Sequence, residues 1–132
     1  MNRILSVLGV FLALLFLAGC NSERYEFKLP VEEIEKIEIV SAKSSTSYSV
    51  KKTLSEHEKR EFIDKFQTIK FDKYYIGDPM SVSGTAVRIE YQNGDYEIIC
   101  HYWAEYVKNG HIYYIKKSCD EKEFNKLLNQ FY

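Results

Sequence analysis

Two Asn-Gly dipeptides, Asn93-Gly94 and Asn109-Gly110, constrain this chain more than any other feature. Apolar and polar residues alternate around both: Ala86 to Gln92 before the first, Asp95 to Val107 between them, and His111 to Lys117 after the second. Asn-Gly is a strong hairpin signal because the favoured two-residue turn needs positive φ at both central positions. Two in succession predict a three-stranded antiparallel meander. Turns of that length also set register. Across the first, Tyr91 pairs with Tyr96, Ile89 with Ile98 and Val87 with Cys100; across the second, Tyr106 pairs with Tyr113, Ala104 with Ile115 and Tyr102 with Lys117. By the period of two these residues share one side of the sheet, the predicted core face. The opposite side is charged at its margins and carries Ile99, His101, Trp103 and Tyr114 at its centre.

Helical spacing replaces alternation in two places. Ser55-Glu56-His57-Glu58 has the form of a capping box, and Phe62, Ile63, Phe66 and Ile69 follow at helical spacing. Ser118-Cys119-Asp120-Glu121 repeats the box ahead of Phe124, Leu127, Leu128 and Phe131. Upstream, Ile34 to Val40 and the segment from Tyr48 read as two strands around a Ser/Lys-rich turn, and Phe71 to Ile76 as a further strand before Gly77-Asp78-Pro79. The predicted fold is α+β: an antiparallel sheet of about five or six strands with two amphipathic helices packed on one face.

The N-terminus has the order of an export signal: Arg3, an apolar run from Ile4 to Leu17, then small residues Ala18 and Gly19 before Cys20. The run is shorter than the roughly 20 residues that a bilayer core demands of a helix. Leu17-Ala18-Gly19-Cys20 resembles the lipobox of bacterial lipoproteins. The resemblance implies a signal peptide over residues 1–19, lipidation of Cys20 and an extracytoplasmic address at the cell membrane. Residues 20–33 then read as the lipidated Cys and a polar tether, and residues 34–132 as a single domain. Two acyl chains exceed the marginal binding of one, so no spanning helix is needed. Removing 19 of the 132 residues leaves 113, enough for one modest core. Of 18 Lys and Arg only Arg3 lies in the leader, leaving 17 against 19 Asp and Glu. That balance, with the address, speaks against nucleic acid as a partner.

With Cys20 assigned to lipid, Cys100 and Cys119 remain. Carried to its end, the hairpin register sets them opposite one another, within disulfide reach. Two readings stand: a disulfide, or two buried free thiols. The Ile99, His101, Trp103 and Tyr114 face also has two: a contact surface centred on an aromatic anchor, or a face covered by the N-terminal hairpin or a loop, with Trp103 serving packing. No Cys or His pair has common metal-ligand spacing, and Cys100 and His101, adjacent on a strand, point to opposite faces. A nucleophile elbow and a glycine-rich phosphate loop are both missing from the sequence. No metal, cofactor or enzymatic activity is expected.

The lipobox, the Gly77-Asp78-Pro79 turn and the Tyr91-Gln92-Asn93-Gly94-Asp95 hairpin together resemble small Gram-positive lipoproteins of uncharacterised function. The resemblance covers most of the mature chain, and its motifs are structural. It implies a lipid-anchored extracytoplasmic binding or interaction module, whose partner besides membrane lipid is a protein or small molecule. The alternatives are an envelope accessory or inhibitory protein regulating a membrane partner and, remotely, a small hydrolase.

Overall fold

A computed structural model of the chain describes residues 22–72 and 77–132. The leader, Cys20 and residues 73–76 of the strand expected over 71–76 lie outside the described residues. In chain order the elements are β1 (Ser22–Glu23), a 3-10 turn at Val31–Glu33, β2 (Ile34–Ala42), β3 (Tyr48–Thr53), α1 (Glu56–Phe66), β4 (Phe71–Asp72), β5 (Gly84–Tyr91), β6 (Tyr96–Cys100), β7 (Trp103–Lys108), β8 (His111–Ile115) and α2 (Glu121–Asn129). Six strands form one antiparallel sheet in the order β3-β2-β5-β6-β7-β8, and β1 pairs with β4 as a separate ribbon. The fold is α+β, with both helices on one face of the large sheet.

The helices form where their stripes lie. Isolated helices this short are marginal in water, so docking of an apolar face holds them. Phe62 and Phe66 of α1 and Phe124, Leu127 and Leu128 of α2 are buried against Ile37, Ile39, Val87, Ile89 and Ile99 of the sheet. Full burial of each such side chain contributes about 1.5–3 kcal/mol. The capping box of α1 is complete: Glu58 N donates to Ser55 Oγ at 3.2 Å, and Ser55 N donates to Glu58 Oε1 at 3.0 Å. The cap of α2 differs from expectation. Asp120 takes the cap position and accepts from Glu123 N at 2.9 Å, while Ser118 Oγ donates instead to Asp72 Oδ2 at 2.8 Å.

The meander has four strands, not three, because the stretch from Asp95 to Val107 folds back at His101-Tyr102. Cys100 pairs with Trp103 across that turn, and Cys119 N secures it by donating to His101 O at 2.7 Å. The first Asn-Gly turn also departs from expectation. Tyr91 N donates to Asp95 O at 2.8 Å and Gly94 N to Tyr91 O at 2.9 Å, leaving a three-residue loop with Gly94 at φ +90°. Three-residue loops place a left-handed residue in a bulge at the end of the turn, a role glycine fills without a Cβ penalty. Register moves by one residue: Ile89 faces Glu97 and Val87 faces Ile99. A shift of one exchanges the faces of a strand, so Ile99 enters the helix-side core and Ile98 and Cys100 leave it. The second Asn-Gly turn is the two-residue kind, with Asn109 at φ 51° and Gly110 at φ 79°. There Tyr106 faces Tyr113 and Ala104 faces Ile115, as expected.

The segment read as a polar tether is folded from Ser22 onward. Beyond β1, Tyr25 is 2 % exposed and packs its ring against Phe27, Phe66 and Phe71 at centroid distances of 5.2–5.6 Å. Its hydroxyl donates to Glu97 Oε1 at 2.6 Å. Glu97, placed on the helix side by the register shift, is fully buried and accepts through Oε2 from Lys28 N at 3.0 Å and from the Tyr91 hydroxyl. Burial raises the Glu97 pKa and the three donors oppose that rise; burial beside Glu97 raises the Tyr25 pKa well above its usual value, which keeps the phenol a donor. Residues 25–28 therefore clasp the domain at a buried carboxylate.

Candidate contact strand

The four residues expected to form one contact face separate. Ile99 is buried beneath the helices. Trp103 is 0 % exposed in a second, smaller core on the far side of the sheet, with Val40, Ala42, Val82, Ala86, Ile98 and Cys100. Its indole Nε1 donates to buried Glu105 at 3.1 Å. His101 sits in the β6–β7 turn, its ring 5.0 Å from that of Tyr102. Tyr114 remains exposed at 57 %. The covering of Trp103, one of the two readings open from sequence, is what the structure shows. Beside it, Arg88 is ion-paired with Glu38 and Glu90 at 2.8 Å each and stacks its guanidinium 4.2 Å from the Tyr96 ring centre.

Cys100 and Cys119 are free thiols. The ladder that was to oppose them does not exist, since Cys100 pairs with Trp103 and Cys119 bridges to Phe71. Cys100 belongs to the far-side core and donates through Sγ to Trp103 O at 3.2 Å; Cys119 packs against the helix-side core. The two thiols thus serve opposite layers. Burial raises both pKa values, that of Cys119 to about 12, so neither is an activated thiolate.

Among the described residues the sheet leaves both of its edge strands, β3 and β8, largely uncovered. On β8, Ile112, Tyr113 and Tyr114 are 43 %, 52 % and 57 % exposed. Both rings rest on buried partners: Tyr113 lies 6.3 Å from Tyr106 on the helix side, and Tyr114 lies 5.7 Å from Trp103 on the other. Tyr106 is in turn held by its hydroxyl's donation to Asp95 at 2.9 Å. Lys108 and His111 flank the two-residue turn as a pair. That pair is hydrogen-bonded in such a hairpin, so alternation turns the amides and carbonyls of Ile112 and Tyr114 outward, away from β7. An incoming strand would find hydrogen-bonding groups between one aromatic ring on each face.

The two edges of the sheet differ. At β3 the exposed Val50 is followed by Lys51 and Lys52, charges of the kind that blunt an edge. At β8 three large side chains stand in a row, with cations confined to its ends at Lys108 and Lys116. The N-terminal segment reaches the far end of β8, where Glu23 pairs with Lys117 and a cavity of about 330 Å³ opens between Tyr25, Phe27 and Ile115. Tyr113 and Tyr114 are assigned from sequence to opposite sides of the meander, but a strand exposed on both faces has no periodic signature to reveal it. Among the described residues, no three of His, Cys, Asp and Glu converge to hold a metal, and no helix is long and apolar enough to cross a membrane. No family model, curated protein or solved structure matches the chain.

Proposed function

We propose that the chain is a lipid-anchored extracytoplasmic binding module, held at the membrane through Cys20, that takes an extended acidic segment of an envelope protein along β8. The observation that carries this is the outer edge of β8, unpaired among the described residues, with Ile112, Tyr113 and Tyr114 exposed on it. Strand addition to a free edge draws affinity from main-chain bonds and specificity from alternate side chains. Tyrosines already resting at a tilt on Tyr106 and Trp103 lose little freedom on contact, which suits them as anchors. Lys108 and Lys116 favour acidic flanks in the partner.

Photocrosslinking on intact cells tests the reading. A benzophenone side chain at Tyr113 or Tyr114 is expected to capture one discrete protein, and the same group at Val50 on the other edge is expected not to. Tyr114→Ala should then weaken capture at position 113 about tenfold, the effect of losing a modest anchor, with the domain still fully folded at the assay temperature by circular dichroism. Capture that is equal at all three positions overturns the assignment to β8. A cross-link between two copies of this chain replaces the acidic segment with self-association.

A further inference from the structure

The clasp at Glu97 leaves an anchor at Cys20 almost no slack. Asn21 alone separates Cys20 from Ser22, which is paired with Asp72 in β1 and β4. Two residues span at most about 7 Å, so the Cα of Cys20 stays within that distance of the folded domain. A tether running to residue 33 would have reached roughly 45 Å. We propose that the face around Ser22, with Arg24, Gln67, Thr68 and Lys70, lies against the phospholipid headgroups of the anchoring membrane and fixes the orientation of the domain. This rests on the acylation of Cys20 proposed above.

The face suits that occupant. Ser22, Glu23, Arg24, Asp64, Thr68 and Lys70 are among the residues that line an open hollow of about 590 Å³. Arg24 and Lys70 are exposed cations, available to anionic headgroups; Glu23 and Asp64 are the acids among them, and Glu23 is paired with Lys117. The nearby Asp72 accepts from Ser118. Orientation follows from topology. Asp72 N donates to Ser118 O at 2.8 Å, and Cys119 N donates to His101 O, so Ser22 lies toward the sheet end that carries the His101-Tyr102 turn. Antiparallel order puts both Asn-Gly turns at the other end, one strand length or roughly 17–20 Å away for the six residues of β7. The domain would stand with those two hairpin tips distal and the exposed part of β8 rising from the membrane.

Paramagnetic relaxation tests this on the acylated protein purified from membranes and reconstituted in phosphatidylglycerol nanodiscs. With a gadolinium chelate on a fraction of the headgroups, amides of Ser22, Arg24, Thr68 and Lys70 are expected to broaden several-fold more than those of Asn93, Gly94, Asn109 and Gly110. Twelve Gly and Ser residues inserted between Asn21 and Ser22, a coil of roughly 19 Å mean span, should abolish the difference. Even broadening without the insert, or a difference that the insert leaves intact, overturns the proposal. Mass spectrometry of the N-terminal peptide from the same sample separates the two readings: acylated Cys20 with even broadening sinks the docking alone, and unmodified Cys20 sinks both.

Discussion

Tyr25→Phe isolates the clasp that makes the N-terminal segment part of the domain. The substitution keeps the ring, and with it the packing on Phe27, Phe66 and Phe71, and removes the hydroxyl that donates to Glu97 Oε1 at 2.6 Å. Oε1 is then left in a fully buried side chain without that donor, while Oε2 keeps Lys28 N and Tyr91. A buried acceptor deprived of its partner costs about 1–3 kcal/mol. With a urea dependence of about 1.5 kcal/mol per molar for a domain of this size, the midpoint should fall by roughly 0.7–2 M. The assay is equilibrium urea unfolding of residues 20–132 carrying Cys20→Ser, followed by circular dichroism. A double-mutant cycle with Glu97→Gln should return a coupling of about 0.5–3 kcal/mol, as for residues in direct contact. A midpoint shift under about 0.2 M, with no coupling, would refute the reasoning and return residues 22–31 to the status of a loose tether.

Further outcomes follow from the same geometry. Gly94→Ala and Gly110→Ala meet open space but place an L residue at φ +90° and +79°, so each should cost about 1–2 kcal/mol by strain, seen as a lowered urea midpoint. Glu97 and Glu58 should shape the pH profile in opposite senses. The Glu97 pKa is raised by burial, so its contribution is whole below the ordinary carboxylate range and is lost as pH climbs through the folded value. The stability difference between the native protein and Glu97→Gln should therefore shrink from pH 4 to pH 8; a constant difference contradicts this. Glu58 is held at about 2 by Lys52 and the Ser55 amide, so its contribution is present above the ordinary range and fades as pH falls toward 2; Glu58→Gln should flatten the acid limb of a urea-midpoint series.

Much of the fold was legible because several signals agreed locally. The stripe Phe62, Ile63 and Phe66 followed a capping box that forms in full, and Asn109-Gly110 made the turn its type prefers. The errors within the meander share one physical origin: turn chemistry that the residues under-determine. Asn93-Gly94 serves a two-residue or a three-residue loop, and only Gly94 takes positive φ here. That one-residue difference sent Ile99 into the helix-side core and Cys100 out of it. His101-Tyr102 turns the chain without Gly, Asn or positive φ at either position, so nothing marked it in a run that alternates throughout. Trp103 was thereby moved to the first position of a strand and sealed in the far-side core. The N-terminal segment did carry a signal. Tyr25, Phe27, Leu29 and Val31 alternate with Arg24, Glu26, Lys28 and Pro30, the period of an extended segment with one apolar face. Glu97, by contrast, looked like an exposed charge, because its three donors come from residues 25, 28 and 91 and no local pattern announces them.

The N-terminal peptide of the protein recovered from bacterial membranes reports most directly on the proposed anchor, one residue away from a folded strand. Its mass should correspond to a chain beginning at Cys20 and carrying a diacylglyceryl group, with the Cys20→Ser variant unprocessed or released from the membrane. A membrane-recovered chain that begins elsewhere, or that begins at an unmodified Cys20, would contradict it.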